Sequence, residues 1–158
     1  MVGESEGQCR CGHVRFRVDG AALITIACHC TGCQRMSGGA YSLSSLYESA
    51  ALSITSGEPV LGGMRGATRH FFCPECMSWL FTHPEGLDEY VNVRSTMLSD
   101  VASHRPFIEA WTRERLPWGS TGAVRSFETV PPPESISALL AEFREFAAGR
   151  YNSTSQAR

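Results

Sequence analysis

Lysine does not occur in this chain; all fourteen basic side chains are arginine. That excludes Schiff-base chemistry on a lysine amine, and it makes every basic contact to an anion a forked guanidinium contact. Long apolar runs are missing too. None approaches the roughly 20 residues needed to cross a bilayer, so no membrane role is expected. Excess charge is also scarce: 14 basic and 16 acidic side chains leave a formal net charge of -2, and there is no nucleic-acid footprint. Residues 1–7 are polar and acidic, without the apolar h-region of a secretory leader, so the expected location is the cytoplasm. Thiols stay reduced there, and seven cysteines is an odd number, which argues against a disulfide framework. Asn152-Ser153-Thr154 matches a glycosylation sequon, which without a secretory route is a chance match.

What is present is a series of short strand-like runs. Val14, Phe16 and Val18 alternate with His13, Arg15 and Arg17, the period of a half-buried strand. Similar runs follow at 23–27, 40–47, 52–55, 68–72, 79–82, 90–94 and 107–112, separated by Gly, Pro, Ser and Asp clusters. This pattern predicts packed antiparallel sheets rather than a parallel α/β core. One helix is predicted after Pro131-Pro132-Pro133, where Ile136, Leu139, Leu140, Phe143 and Phe146 recur at helical spacing before Gly149. Its apolar face is expected to cap the sheet core, with a second subunit as the other cover. The reading divides the chain into one domain over 1–148 and a polar, disordered tail over 149–158.

The cysteines fall into Cys9-Arg10-Cys11, Cys28-His29-Cys30-Thr31-Gly32-Cys33 and Cys73-Pro74-Glu75-Cys76. Such spacings let neighbouring thiolates converge on one ion at about 2.3 Å. A thioredoxin-like reading of Cys73 and Cys76 wants a helix after the pair, and the run from Trp79 reads as a strand. Seven thiolates fill one four-cysteine site and leave a second site one ligand short. The triplet is local, so one turn can present all three sulfurs with little loop-closure cost. The two remaining pairs would then clamp the N-terminal strand to a segment about sixty residues later. Spacing alone permits other groupings, and His29, His13, His70 or His104 is an alternative fourth ligand for the triplet. A closed four-thiolate zinc is structural, whereas three protein ligands leave a position for a substrate atom. Three thiolates make the ion a poor activator of water but a good partner for a soft thiol, which would be deprotonated there at neutral pH.

Three stretches carry a resemblance. Residues 7–16 (Gly-Gln-Cys-Arg-Cys-Gly-His-Val-Arg-Phe), residues 28–38 from Cys28 to Gly38, and Phe72-Cys73-Pro74-Glu75-Cys76 follow one pattern in order. The chain resembles the glutathione-dependent formaldehyde-activating enzymes, in the wider family that includes centromere protein V. The match runs on through 93–100, Arg105-Pro106 and Leu116-Pro117-Trp118, covering roughly residues 7–128. The resemblance implies a mainly β fold, a β-tent of short antiparallel sheets held by zinc. It implies a structural zinc on Cys9, Cys11, Cys73 and Cys76, and a second, catalytic zinc on Cys28, Cys30 and Cys33. It also implies a carbon–sulfur lyase type of reaction, the condensation of glutathione with formaldehyde to S-hydroxymethylglutathione. Two positions depart from the pattern: Met77 stands where glycine is usual after the second pair, and Ser99 replaces an acidic residue, leaving Asp100.

Glutathione carries two carboxylates, so arginines near the triplet are expected to hold it, first Arg35 and then Arg69 and Arg94. His29, His70 and Asp100 are the candidate proton donors. Trp111 and Trp118 are read first as core residues and second as walls of a pocket. Two other readings stand beside the enzyme: a non-catalytic zinc module that binds a partner, and the same fold acting on a different glutathione conjugate.

Overall fold

The computed structural model describes residues 3–149. In chain order its first elements are β1 (Glu4–Gln8), β2 (Arg15–Asp19), β3 (Ile24–Cys28), α1 (Thr31–Ser37), β4 (Ser42–Glu48), β5 (Leu52–Ser56) and β6 (Val60–Gly62). There follow β7 (Arg69–Phe72), β8 (Trp79–His83), β9 (Tyr90–Arg94), β10 (Ile108–Ala110), β11 (Arg125–Ser126) and α2 (Ile136–Ala147). Strands β1-β2-β5 form a small antiparallel sheet, and β11-β10-β3-β4-β9-β8-β7-β6 form a large one. The fold is therefore mainly β, with short sheets and a C-terminal helix. Pairing is antiparallel from β3 across to β6, but β10 lies parallel to both β3 and β11. A short hairpin dictates antiparallel pairing; β10 reaches β3 from far along the chain and is under no such constraint.

Alternation along the strands gives the large sheet two distinct faces. One face packs on the small sheet: Tyr47, Leu80, Phe81, Val91 and Val93 bury against Val14, Phe16 and Val18. Full burial of each such side chain contributes about 1.5–3 kcal/mol. The other face carries Ile24, Ile26, Cys28, Ser42, Ser44, Leu46, Asn92 and Arg94, and it lines a cavity of about 690 Å³. Helix α2 folds back over part of that face. Leu139 and Phe143 pack on Ile24, Phe107 and Ile108, so the helix caps the sheet as its periodicity predicts. A fork from Arg125 Nε and Nη2 to Glu142 Oε2, at 3.0 and 2.8 Å, ties β11 to α2. Among the described residues, no helix is long and apolar enough to cross a membrane. The sequon and the tail beyond Gly149 lie outside the described residues.

Candidate metal centres and cavity

The four cysteines of the two distant pairs come together. Cys9, Cys11, Cys73 and Cys76 place their sulfurs within 4.8 Å of one another. Cys9 Sγ lies 3.5 Å from Cys11 Sγ, and Cys11 Sγ 3.8 Å from Cys73 Sγ. A tetrahedral ion with bonds of about 2.3 Å requires edges of ~3.8 Å, so this soft all-sulfur set fits zinc. Each pair sits on a tight knuckle. Gly12 (φ +77°) turns the first, with its N–H on Cys9 O at 3.1 Å, while the Val14 N–H donates to Cys9 Sγ at 3.3 Å. In the second, the Cys73 carbonyl accepts from Met77 N at 3.0 Å, and Met77 takes the left-handed φ of +56°. The knuckle thus makes its left-handed turn at a residue that carries a Cβ. The Arg10 N–H bonds Ser78 Oγ at 3.2 Å, joining the two turns. Cys9 and Cys73 are buried and Cys11 is exposed.

The triplet assembles at the cavity's edge. Cys28 ends β3, Cys30 caps α1 by accepting the Cys33 N–H on its sulfur at 3.3 Å, and Cys33 lies in the first turn. The helix ends on Gly38 (φ +66°), whose N–H meets Gln34 O at 2.9 Å. The three sulfurs lie within 4.8 Å of one another, and no histidine or carboxylate joins them among the described residues. The Cys28 thiol holds Cys33 down to about 6, with Ser42, Cys30 and the Arg94 charge acting in the same direction. Cys28 is pushed up in return by Cys33 and by burial.

A buried network locks this loop. His29 is fully buried and its Nε2 donates to Glu109 Oε2 at 3.0 Å, so that nitrogen is not free for a metal. Glu109 also accepts from Arg115 Nη1 at 2.9 Å, Thr121 Oγ1 at 2.9 Å and Ser126 Oγ at 2.6 Å. Burial alone would raise the Glu109 carboxyl, but the donors from Ser126, Thr121 and His29 bring it below its ordinary value. Glu114 accepts from Thr31 N at 2.6 Å and Thr31 Oγ1 at 2.8 Å, and Gln34 Nε2 donates to His29 O and Glu114 O.

Of the three arginines expected around the triplet, Arg94 alone lines the cavity. Its side chain is 7% exposed, its guanidinium lies 4.0 Å above the Trp79 ring, and its buried Nε has no hydrogen-bond partner. Burial lowers it to about 10, while the Cys33 and Cys28 sulfurs hold it charged, so it is a cation at neutral pH. Arg35 stands exposed on α1 outside the cavity lining. Arg69 points to the opposite face of β7 from His70 and bonds Asp88 Oδ1 at 2.7 Å.

His70 lines the cavity, and its Nδ1 pairs with Thr82 Oγ1 at 2.9 Å, which in turn accepts from Trp79 Nε1 at 3.0 Å. Burial, then the Arg94 charge, lower the imidazole below its usual value, so it is neutral at pH 7. Asp100 lies away from the cavity, bonded by Ser5 and Ser103, and 3.3 Å from His104 Nε2. His104 Nδ1 pairs with Ser45, and His13 is exposed on the small sheet's side. A broad depression of about 1090 Å³ on that side is lined by Glu4, Glu6, Arg15 and Arg17, and the triplet does not reach it. Trp111 walls the cavity from a left-handed backbone (φ +59°). Trp118, expected in the core or in a wall, is 76% exposed on the turn that closes at Gly119.

Glu109 and Trp79 are the residues of this candidate site that the sequence reading passed over. Glu109 had a signal: a lone carboxylate between Ile108 and Ala110 in an otherwise apolar strand must find buried donors.

No curated protein matches the chain. A crystal structure of a Rhodobacter sphaeroides protein matches with a TM-score of 0.51 and 22% identity, over 60% of this chain and 88% of that one, a likeness of fold. The model of the family described as glutathione-dependent formaldehyde-activating enzyme matches residues 4–114, the stretch that supplies both cysteine clusters, Glu109 and Arg94. The chain belongs to the glutathione-dependent formaldehyde-activating enzyme family.

Proposed function

We propose that this chain catalyses the reversible addition of a thiol, glutathione, to a small aldehyde, a carbon–sulfur lyase type of reaction. The observation that carries this reading is a cluster of three sulfurs, with no fourth ligand among the described residues, beside a buried arginine whose Nε has no hydrogen-bond partner, at the edge of one cavity. Cys28, Cys30 and Cys33 would hold zinc with one position free, and zinc there supplies a soft Lewis acid that lowers the pKa of an incoming thiol. Cys9, Cys11, Cys73 and Cys76 would hold a closed structural ion whose binding energy is folding energy.

In the addition, a sulfur–carbon bond forms, the carbonyl π bond opens, and the thiol proton ends on the new hydroxyl. Arg94 has an unused buried N–H, and it stabilises the negative charge that develops on the carbonyl oxygen. His70, neutral and oriented by Thr82, takes the thiol proton as a base and returns it to that oxygen as an acid. The Glu109 and Glu114 contacts keep the triplet loop from collapsing when the fourth position is vacant.

The test is exchange between glutathione and its formaldehyde adduct, followed by NMR with the protein and with Cys30→Ser, against the uncatalysed background. Wild-type exchange well above buffer, lost in Cys30→Ser, supports the enzyme. Equal rates for both proteins, with formaldehyde and with a longer aldehyde such as hexanal alike, overturn it and favour a non-catalytic zinc module.

A further inference from the structure

Formaldehyde is one carbon and one oxygen, and the cavity beside the triplet is far larger than that requires. Its 690 Å³ lies well within the range of about 300–1,000 Å³ typical of sites for whole small molecules. Its lining is mostly apolar, with the polar side chains His70, Thr82 and Asn92 on the β7-β8-β9 side: Ile26 and Leu46 of the sheet line it together with Trp111, Val130, Ile136 and Leu140. Arg94 is the one arginine or carboxylate-bearing side chain among all that line it. Glutathione has two carboxylates and an ammonium group, so its peptide body has no matching set of charged partners inside. A single anionic centre next to Arg94, continued by an apolar group, matches both ends of the cavity.

The far wall has a separate origin. Val130, Ile136 and Leu140 come from the segment before and within α2, beyond residue 114 where the family match ends. Val130 and Ile136 are 59% and 42% exposed, apolar side chains that stay partly wet unless an apolar group covers them.

We propose that the cavity takes the apolar body of the carbonyl-derived group, so that the substrate is the thiol adduct of a medium-chain or aromatic aldehyde rather than of formaldehyde. This rests on the reading of the triplet as a thiol site. The bond changes are those of the simple addition. The peptide part of the thiol stays outside, at the mouth near α1, while the carbon chain runs from Cys28 and Cys33 toward Val130 and Ile136.

The test is calorimetric binding of S-methyl-, S-butyl- and S-hexylglutathione, stable thioether stand-ins for the adduct, to the zinc-loaded protein. Burying each added methylene tightens binding by about threefold to fourfold. In Ile136→Trp and Val130→Trp, which change rim positions, the indole occupies the space and the gain per methylene is largely lost. Equal affinity for all three conjugates, or a chain-length gain unaltered in both variants, overturns the proposal. NMR exchange of glutathione with hexanal and with formaldehyde separates the two readings. A chain-length gain in binding without enzyme-dependent exchange of either aldehyde sinks the catalytic reading and leaves the cavity assignment standing. Enzyme-dependent formaldehyde exchange with flat binding sinks the cavity assignment alone.

Discussion

Replacing Met77 with glycine should stabilise the protein, although it removes a side chain at a cysteine knuckle. Met77 holds φ at +56° immediately after Cys73-Pro74-Glu75-Cys76. Left-handed backbone costs a residue with a Cβ roughly 1–2 kcal/mol. Glycine escapes that cost but loses about 0.5–1 kcal/mol more chain entropy on ordering. The side chain is 57% exposed, so little burial is forfeited. The balance is a gain of roughly 0.5–1 kcal/mol, or about 1–4 °C in Tm for a chain of this size. Because ion binding and folding are linked at a structural site, the same variant should bind zinc at the four-cysteine cluster about two- to fivefold more tightly in chelator competition. Met77→Ala is the control, since alanine keeps the Cβ and the strain. If Met77→Gly lowers Tm, or if Met77→Ala gains as much, backbone strain is not what the methionine costs.

Glu109→Gln removes the charge that His29, Arg115, Thr121 and Ser126 all donate to. Breaking one side of such a buried set should cost about 3–5 kcal/mol in urea unfolding, and a loss below ~1 kcal/mol would show that the network does not support the loop. The Glu109 carboxyl is lowered in the folded protein from the ordinary 4.5, so its contribution is full above that pH and drains away as pH falls through the lower folded value. Wild type should therefore lose stability more steeply below about pH 4.5 than Glu109→Gln does, read as the difference between the two acid titrations. Leu139→Ala should cost about 2–5 kcal/mol, since Leu139 is 5% exposed against Ile24, Phe107 and Ile108; a cost near zero would mean that α2 is not docked in solution.

The strands and the C-terminal helix were legible because their signals are local. Phe16 and Val18 face the core while Arg15 and Arg17 turn away, as period-two alternation requires, and Leu139 and Phe143 fall on one helical face. Helix α1 was not anticipated, because its cap is the sulfur of Cys30, outside the usual Ser, Thr, Asp and Asn signals; only Gly38 marked its end. Strand β11 has two residues and β6 three, too short for any period to register.

The cysteine spacings pointed to thiolate clusters able to hold a metal, but which arginine lies beside the triplet depends on strand order. Arg94 reaches the triplet because β9 and β3 flank β4, with Ser44 opposite Arg94 and Ser42 opposite Cys28. Arg35, the arginine nearest the triplet in sequence, lies on the exposed side of a short helix. The cavity was hidden for a related reason. Ile136 and Leu140 repeat with the same helical period as Leu139 and Phe143, so all four read as core. In the fold Leu139 and Phe143 go to the core with Leu140 packed against them, while Ile136, Leu139 and Leu140 also border the open space that β3, β4 and β10 leave beneath the helix. A one-residue slip of β9 against β4 would turn Arg94 into the core between the sheets and put Val93 beside the cysteines. The alternation of Val91 and Val93 with Asn92 and Arg94 fixes which face Arg94 takes; what no local pattern encodes is the strand order that sets that face beside the cysteines.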